Sequence, residues 1–521
     1  MKKNSAFIFV LAAALVFAAS CGKNSSKKKT TDLSSYPIET DVELTYWLAL
    51  DETLASVVSN FSETRLAQAM REKTGVNVKY IHPPIGQEDE MFNLMLASND
   101  LPDIIESMVS SVFNGSDSKL RNKMVLPLND LMKDYAPALS GYLEQHPDID
   151  REVKLDDGTY ICFPFIRGDK SLLVSAGPIV RQDWLDELGL DTPKTIADWE
   201  NVLTAFKEKK GALAPFSCVY RSSVMAFVGS NYSPYVSDGV VKLAPFEPAF
   251  KGALEILHRW YENGLLDPNY TLTDQAMLDS NILNGLTGAT YASGGSGLGR
   301  WLALSNNPDF RLAGVATPLD QHGEINKAAP IQSYFWGYGA FISTTCKYPE
   351  LAVKYMDYNY TESGTMLNNF GIEGESYKMV DGFPTYTDVI MHNSSGLSVS
   401  AAMANYMHSS YRGTFVQDAR YIVQYYSRDE QKQALREWEK NVDAALSVRM
   451  PSLSLLSDET AEFSEIYDAI SEYIDNAVDE FILGIRPISD YDTFIDELKG
   501  MGAERMIQIQ QNAYNRYLKR K

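Results

Sequence analysis

Apolar positions in the N-terminal part of the chain switch between a period of two and a period near 3.6, and the switching predicts a sheet with helical crossovers. Val42 to Leu50 reads as a strand. Asn60 to Thr74 reads as an amphipathic helix with Phe61, Leu66, Ala69 and Met70 on its inner face and Gly75 as its stop. Val76, Val78 and Tyr80 then alternate as a second strand. Met91, Phe92, Leu94 and Met95 recur at helical spacing within Gln87 to Ser98, and Asp103 to Glu106 follows Pro102 as a third short strand. This order predicts a parallel α/β sheet with right-handed crossovers. Ligands of such sheets sit beyond the carboxyl ends of the strands, which here carry Trp47, Asp51 and Glu52, then His82, then Glu106 and Ser107.

Farther on, Val153 to Pro164 reads as a hairpin or turn closed at Asp157 and Gly158. A second α/β unit begins near residue 170, with an apolar run from Ser171 to Val180 interrupted by Gly177 and Pro178. Thr195 is placed to cap a helix that carries Trp199, Val202, Leu203 and Phe206 on one face. Pro248 to Glu262 is a long helix, and Gly288 to Trp301 is a strand running into a glycine-rich turn. Two such units predict two lobes flanking a cleft. Ala329 to Ser343 crowds Tyr334, Phe335, Trp336 and Tyr338 beside Gly337 and Gly339, which lets another backbone or a ligand come close. It reads as a lobe-crossing strand beside the cleft, or as a buried aromatic strand with no ligand.

The first residues set the compartment. Lys2 and Lys3 precede an apolar run from Ala6 to Ala19 and then Ser20, Cys21 and Gly22, the plan of an export signal and too short for a membrane span. A cysteine after small residues resembles the bacterial lipobox, where cleavage makes Cys21 the acylated N-terminus. Ala18 stands where that motif most often has Leu. The lysine-rich stretch that follows, Gly22 to Ser35, reads as a tether. The chain has 47 basic and 68 acidic residues, a formal charge of -21, and loss of Lys2 and Lys3 takes it to about -23. So acidic a chain is a poor partner for nucleic acid. Cys162, Cys218 and Cys346 are far apart and define neither a disulfide framework nor a metal site.

Several stretches, in order behind that cysteine, carry a family resemblance: LDDGTYICFPF, RQDWLDELGLDTPKT, WYENGLLDPNY, GATYASGGSG, GIEGESYKMVDGFPTYTD and FIDELKGMGAERMIQIQQNAYNRYLK. Together they resemble the family 1 extracellular solute-binding lipoproteins, the capture subunits of bacterial ABC importers, usually for oligosaccharides. The resemblance implies an α/β, two-lobe periplasmic-binding-protein-like fold that closes on its ligand by hinge motion, with no catalysis and no cofactor. It implies an oligosaccharide ligand, permease transmembrane subunits as partners, a lipid anchor on the extracytoplasmic face and a monomeric state. Residues 1–20 are then the signal and 21–37 the lipidated cysteine and tether. Residues 38–168 with about 337–395 make the first lobe, and 169–336 with part of 396–521 the second. Members often hold calcium in an acidic insert after the helix equivalent to Ile196 to Lys210; this chain has only KKGALAPFS there, so no metal site is expected.

Sugars combine a C–H face with a fringe of hydroxyls, so their sites pair flat rings with carboxylates, amides and Arg. With 30 Tyr and 7 Trp in the chain, position must decide among rings. Trp47, Trp301, Tyr334 and Trp336 are the stacking candidates. Asp51, Glu106, Arg181 and Glu373 are the polar ones, and Tyr411 and Arg412 form a late cluster placed to reach back over the cleft. For Trp301 the alternative is packing of the next helix, for Arg181 a pair with Asp183 or Asp186, and for Glu373 a loop cap. Gly294, Gly295, Gly297 and Gly299 fit neither GxGxxG nor GxxxxGK[ST], so a phosphate loop is not expected. Asp148, Asp150 and Glu152 lack the glycine and terminal Glu of a calcium loop and read as a solvated turn. No HExxH, GxSxG or CxxC occurs. The rival classes are an exported glycoside hydrolase, a peptide receptor and a surface adhesin.

Overall fold

The computed structural model describes residues 31–98, 100–110, 124–408 and 413–520. Cys21, Tyr411 and Arg412 lie outside the described residues, as does the export signal. Two sheets, each with its own apolar core, organise the chain. The first has the order β2 (Asn77–Ile81), β1 (Glu43–Trp47), β3 (Ile104–Met108), β12 (Tyr338–Ile342) and β4 (Phe163–Pro164). β1 pairs in parallel with both β2 and β3, and β12 runs antiparallel to β3. The second sheet has the order β11 (Leu312–Gly314), β6 (Ala176–Arg181), β10 (Ala289–Ser293) and β7 (Phe216–Ser217). β6 runs antiparallel to β10 and β11, and β7 runs parallel to β10.

Local chemistry explains the elements. Thr64 interrupts the expected Asn60 to Thr74 helix: its side chain accepts from the Ala67 N–H and caps the helix Arg65–Thr74, leaving Phe61–Glu63 as a separate 3-10 turn. Gly75 ends that helix at φ 76°, and a Cβ there would lie 2.2 Å from the Ile38 carbonyl oxygen, so only glycine fits. Thr195 and Asp198 close a reciprocal capping box over the helix Ile196–Lys210, whose Trp199, Val202, Leu203 and Phe206 are all buried. Of the two readings for Val153 to Pro164, hairpin or turn, the structure has the turn: Leu155 N–H donates to the Thr159 carbonyl at 3.0 Å, and the strand partner of β4 is β12. Asp148, Asp150 and Glu152 lie on the helix Pro147–Val153 rather than in a solvated turn, and Glu152 is buried against Arg449.

Three stretches lie side by side where the two halves meet: β5 (Ile166–Arg167), the irregular run before β12, and β15 (Val416–Gln417), which pairs in parallel with β5. Arg167 N–H donates to the Tyr334 carbonyl at 3.0 Å, and Gln332 N–H donates to the Leu173 carbonyl at 2.7 Å. Short hairpins, β8 (Tyr235–Ser237) with β9 (Val240–Lys242) and β13 (Tyr377–Val380) with β14 (Phe383–Tyr386), decorate this frame. Toward the C-terminus, Asp429–Glu439 buries Ala434, Leu435 and Trp438 against β6 and β11, and Ser457–Leu483 buries Ile470, Ile474 and Phe481 in the second core. The chain then returns to the first half, where Arg516 Nε and Arg520 Nε each donate to Asp156 at 2.8 Å.

Asp357 illustrates the electrostatics of the first core. Its buried carboxylate sits at the start of the helix Pro137–Gln145 and accepts from the Leu139 N–H at 2.9 Å and the Ala138 N–H at 3.3 Å. Burial outweighs those bonds and pushes its pKa from the usual 3.8 up to about 6. The folded state therefore holds this proton more tightly than the unfolded chain does. The stability it contributes is fully present below about pH 4 and is lost as the pH rises through about 6. Asp357→Asn cannot titrate, so the stability of the wild type relative to this variant should fall from pH 4 to 7 in denaturant titrations; a flat difference would refute the shift.

Candidate functional site

The loops that leave β1 and β2 meet Glu106 of β3 and Trp336 around an open cavity of about 780 Å3. Its described wall runs from Leu48 to Leu54, continues through Ile85, Gly86 and Glu88, and is completed by Ser400, Ala404, Met407, His408 and Tyr425. The β1 loop is held from two sides. The Asp51 carboxylate accepts from the Leu54 N–H at 2.8 Å and starts the short helix Glu52–Ala55. His82 Nε2 accepts from the Phe61 N–H at 3.1 Å, which leaves the proton on Nδ1 to donate to the Leu48 carbonyl at 2.9 Å. Burial keeps this imidazole below its ordinary pKa, in line with that neutral tautomer.

Trp336 is 37% exposed and is the large ring that the cavity presents to solvent. It lies 6.0 Å from Tyr338 at an interplanar angle of 20°, and the Arg167 guanidinium sits 5.8 Å from its ring. The Tyr338 hydroxyl donates to Glu106 Oε1 at 2.9 Å, and the Tyr46 hydroxyl donates to Glu106 Oε2. Burial, and then the Glu106 carboxylate, hold the Tyr46 hydroxyl far above its ordinary pKa, so it stays a donor. The open tryptophan thus rests on a ring whose far end is tied to a buried carboxylate. His408 is stacked between Phe61 and Phe415, with centroids at 5.5 and 5.8 Å, and burial lowers its pKa to about 4, so the imidazole is neutral at physiological pH.

Gly339 gives up its Cβ to the protein and not to a ligand: a Cβ there would lie 2.8 Å from Cys162 Sγ and from the Phe163 carbonyl oxygen. The glycine-rich turn after β10 has a similar use. The Tyr426 ring packs against Gly294 and Gly295, and Gln431 Nε2 donates to the Gly294 carbonyl at 2.7 Å. Tyr220, 66% exposed, follows β7 at the carboxyl end that it shares with β10.

The structure brings Asp51, Glu106 and Trp336 together and places the other described candidates elsewhere. Trp47 is buried against Phe92 at 5.7 Å, so its faces are covered by the first core. Trp301 is 0% exposed and donates from Nε1 to Asp279 at 2.8 Å; it anchors the second half and offers no stacking face. Arg181 is buried in a bidentate pair with Asp183 and lies between the rings of Trp184 and Phe310, at 4.3 and 4.6 Å. Glu373 is exposed on the turn that bridges to Tyr377, away from the described cavity wall. Tyr334 is half-buried and packs on both the first core and the core around Trp301, and it is not among the described residues of the cavity wall. His408 and Tyr425 line the cavity and carry no sequence pattern that marks them.

Residues 55–366 match the profile described as bacterial extracellular solute-binding protein. The chain belongs to that family. Among relatives, the fructooligosaccharide ABC transporter substrate-binding protein FusA of Streptococcus pneumoniae is 28% identical over 292 residues, 50% of this chain and 52% of FusA. The match therefore spans about half the length of that relative. Two solved structures share the fold. The alginate-binding protein AlgQ2 superposes with a TM-score of 0.69 at 23% identity over 94% of this chain and 100% of AlgQ2. A human-milk-oligosaccharide (HMO) solute-binding protein from Bifidobacterium longum infantis does so with a TM-score of 0.74 at 14% identity, over 92% of this chain and 99% of that one.

Proposed function

We propose that this solute-binding protein captures an oligosaccharide in the cleft and delivers it to the membrane subunits of an ABC importer, without chemical change. The observation that carries the reading is the Trp336 ring, open to solvent and held by Tyr338 beside the carboxylates of Asp51 and Glu106. A pyranose or furanose C–H face fits such a ring, and its hydroxyls donate to such carboxylates. FusA, AlgQ2 and the Bifidobacterium protein are each described as binding a glycan, which supports the same class here. Closure brings ligand groups from both halves together, so a ligand that fits both stabilises the closed state. We further propose that Cys21 carries the lipid anchor, on the extracytoplasmic face, and that the protein acts as a monomer. No described helix is long and apolar enough to cross a membrane.

The test is thermal unfolding of residues 22–521 with oligosaccharides, simple sugars and short peptides. A ligand at about a hundred times its dissociation constant adds about 2.7 kcal/mol, visible as a rise in Tm. A rise with a glycan recovered intact supports the reading. A rise with peptides alone, or cleaved sugar in the tube, would replace it with a peptide receptor or a hydrolase.

A further inference from the structure

The carboxyl ends of β3 and β10, one in each sheet, lie against the chain that crosses between the halves. Met108, the last residue of β3, pairs with Tyr338 at the start of β12, and the Val109 N–H donates to the Gly337 carbonyl at 2.6 Å. Ser293, the last residue of β10, pairs with Ala176 at the start of β6, and the Gly294 N–H donates to the Ser175 carbonyl at 2.9 Å. Just upstream of Ser175, the Leu173 carbonyl holds Gln332 of the run that leads to Trp336. Side chains also join the end of β10 to the cavity wall. Tyr426 packs on Gly294 and Gly295 and lies 5.6 Å from Tyr425, which lines the cavity.

Tyr220 stands at that same end of the second sheet. β7 runs parallel to β10 with Ser217 beside Thr290, and the next residue, Cys218, has its thiol 3.6 Å from the Tyr291 carbonyl and 3.7 Å from the Tyr220 carbonyl. The backbone is fixed on both sides of the ring. Val219 packs on the core around Trp301, and the Tyr220 carbonyl accepts from the Ser223 N–H at 3.1 Å and the Val224 N–H at 3.2 Å, starting the helix Arg221–Phe227. Arg221 forms a bidentate pair with Asp479 at 2.7 and 2.6 Å. The Tyr220 ring itself is 66% exposed. On the β10 side, the Ser293 and Ser296 hydroxyls lie 2.6 Å apart, a pair that spends one of its two O–H groups on itself.

We propose that Tyr220 is the stacking platform of the second half, which meets the glycan from the side opposite Trp336 when the halves close, with the Ser293–Ser296 hydroxyl pair beside it. The inference rests on the glycan-binding reading above and adds the residue by which the second half recognises the ligand. Its place follows from the rule that ligands lie beyond the carboxyl ends of parallel strands, applied to β7 and β10. A ring in water on a backbone already held loses little freedom when a C–H face covers it. Tyr220 is not among the described residues of the cavity wall, so its contact belongs to the closed form and contributes to closure rather than to first encounter.

Isothermal titration of residues 22–521 with 1-kestose, maltotriose, cellotriose, chitotriose and trigalacturonate finds the probe that binds the wild type. Tyr220→Ala is expected to weaken that probe about tenfold or more, and Tyr220→Phe, which keeps the ring, by less than about threefold. Because the ring lies largely in water, neither variant should move the melting temperature of the unliganded protein. Nitration with tetranitromethane and peptide mass mapping reads the coverage: Tyr220 should react in the free protein and be protected by the bound probe. A Tyr220→Ala variant that binds as tightly as the wild type, or a Tyr220 that nitrates equally fast with probe bound, overturns the platform and leaves glycan capture standing. Equal losses in the Ala and Phe variants would overturn stacking as well, since stacking needs only the ring. Binding of none of the probes by the wild type would overturn both readings.

Discussion

Trp336→Ala is expected to weaken glycan binding by more than about tenfold while leaving the melting temperature of the unliganded protein nearly unchanged. The two effects separate because of where the ring sits. One face lies toward Tyr338 and the ring is 37% exposed, so truncation uncovers a neighbour at the cavity surface and opens no hole in a core. The stability cost is then about 1 kcal/mol, the worth of an aromatic contact at a surface. The ligand, in contrast, loses the flat platform for its C–H face. Tyr338, 6% exposed, lies behind the place the indole leaves and so does not present its ring at the same position. Calorimetric titration with whichever glycan raises Tm, alongside thermal unfolding without ligand, reads both quantities. Equal affinity in variant and wild type would remove Trp336 from the site.

Trp301→Ala should behave in the opposite way, with a loss of about 3–5 kcal/mol in stability and no direct loss of a ligand contact. This side chain is fully buried, shares a core with Leu298, Tyr426, Leu435 and Trp438, and its indole N–H satisfies Asp279. Truncation leaves a cavity beneath the glycine-rich turn and removes one donor from a carboxylate that keeps its pair with Arg300. Denaturant unfolding measures it. A midpoint that does not move would mean that the turn and the helix Asp429–Glu439 are held without this anchor.

Those two tryptophans also show which features could be read from the sequence. Periodicity located β1, β2 and β3, the helix Arg65–Thr74, the helix Ile196–Lys210 and the helix Pro248–Glu262, because each buries one face and its repeat is local. The rule that ligands lie past the carboxyl ends of parallel strands pointed to the loop that holds Asp51 and to Glu106, both on the cavity wall. Local pattern does not say which of two adjacent rings is covered by a partner far away in sequence. Trp47 is covered by Phe92, and Trp301 is tied to Asp279 across the helix boundary. Arg181 shows the same limit at shorter range, since its partner Asp183 was among the alternatives and only packing between Trp184 and Phe310 decides for it. His408 and Tyr425 reach the cavity from late in the chain by tertiary contact alone.

The distribution of indoles also makes the protein its own optical probe. All seven tryptophans lie within the described residues; Trp47, Trp184, Trp199, Trp260, Trp301 and Trp438 are buried, and Trp336 is the exception. Collisional quenching of intrinsic fluorescence by acrylamide therefore reports mainly on Trp336. If a ligand covers Trp336 as proposed, occupancy of the cleft is expected to be readable without a label as a loss of the quencher-accessible fraction of the emission.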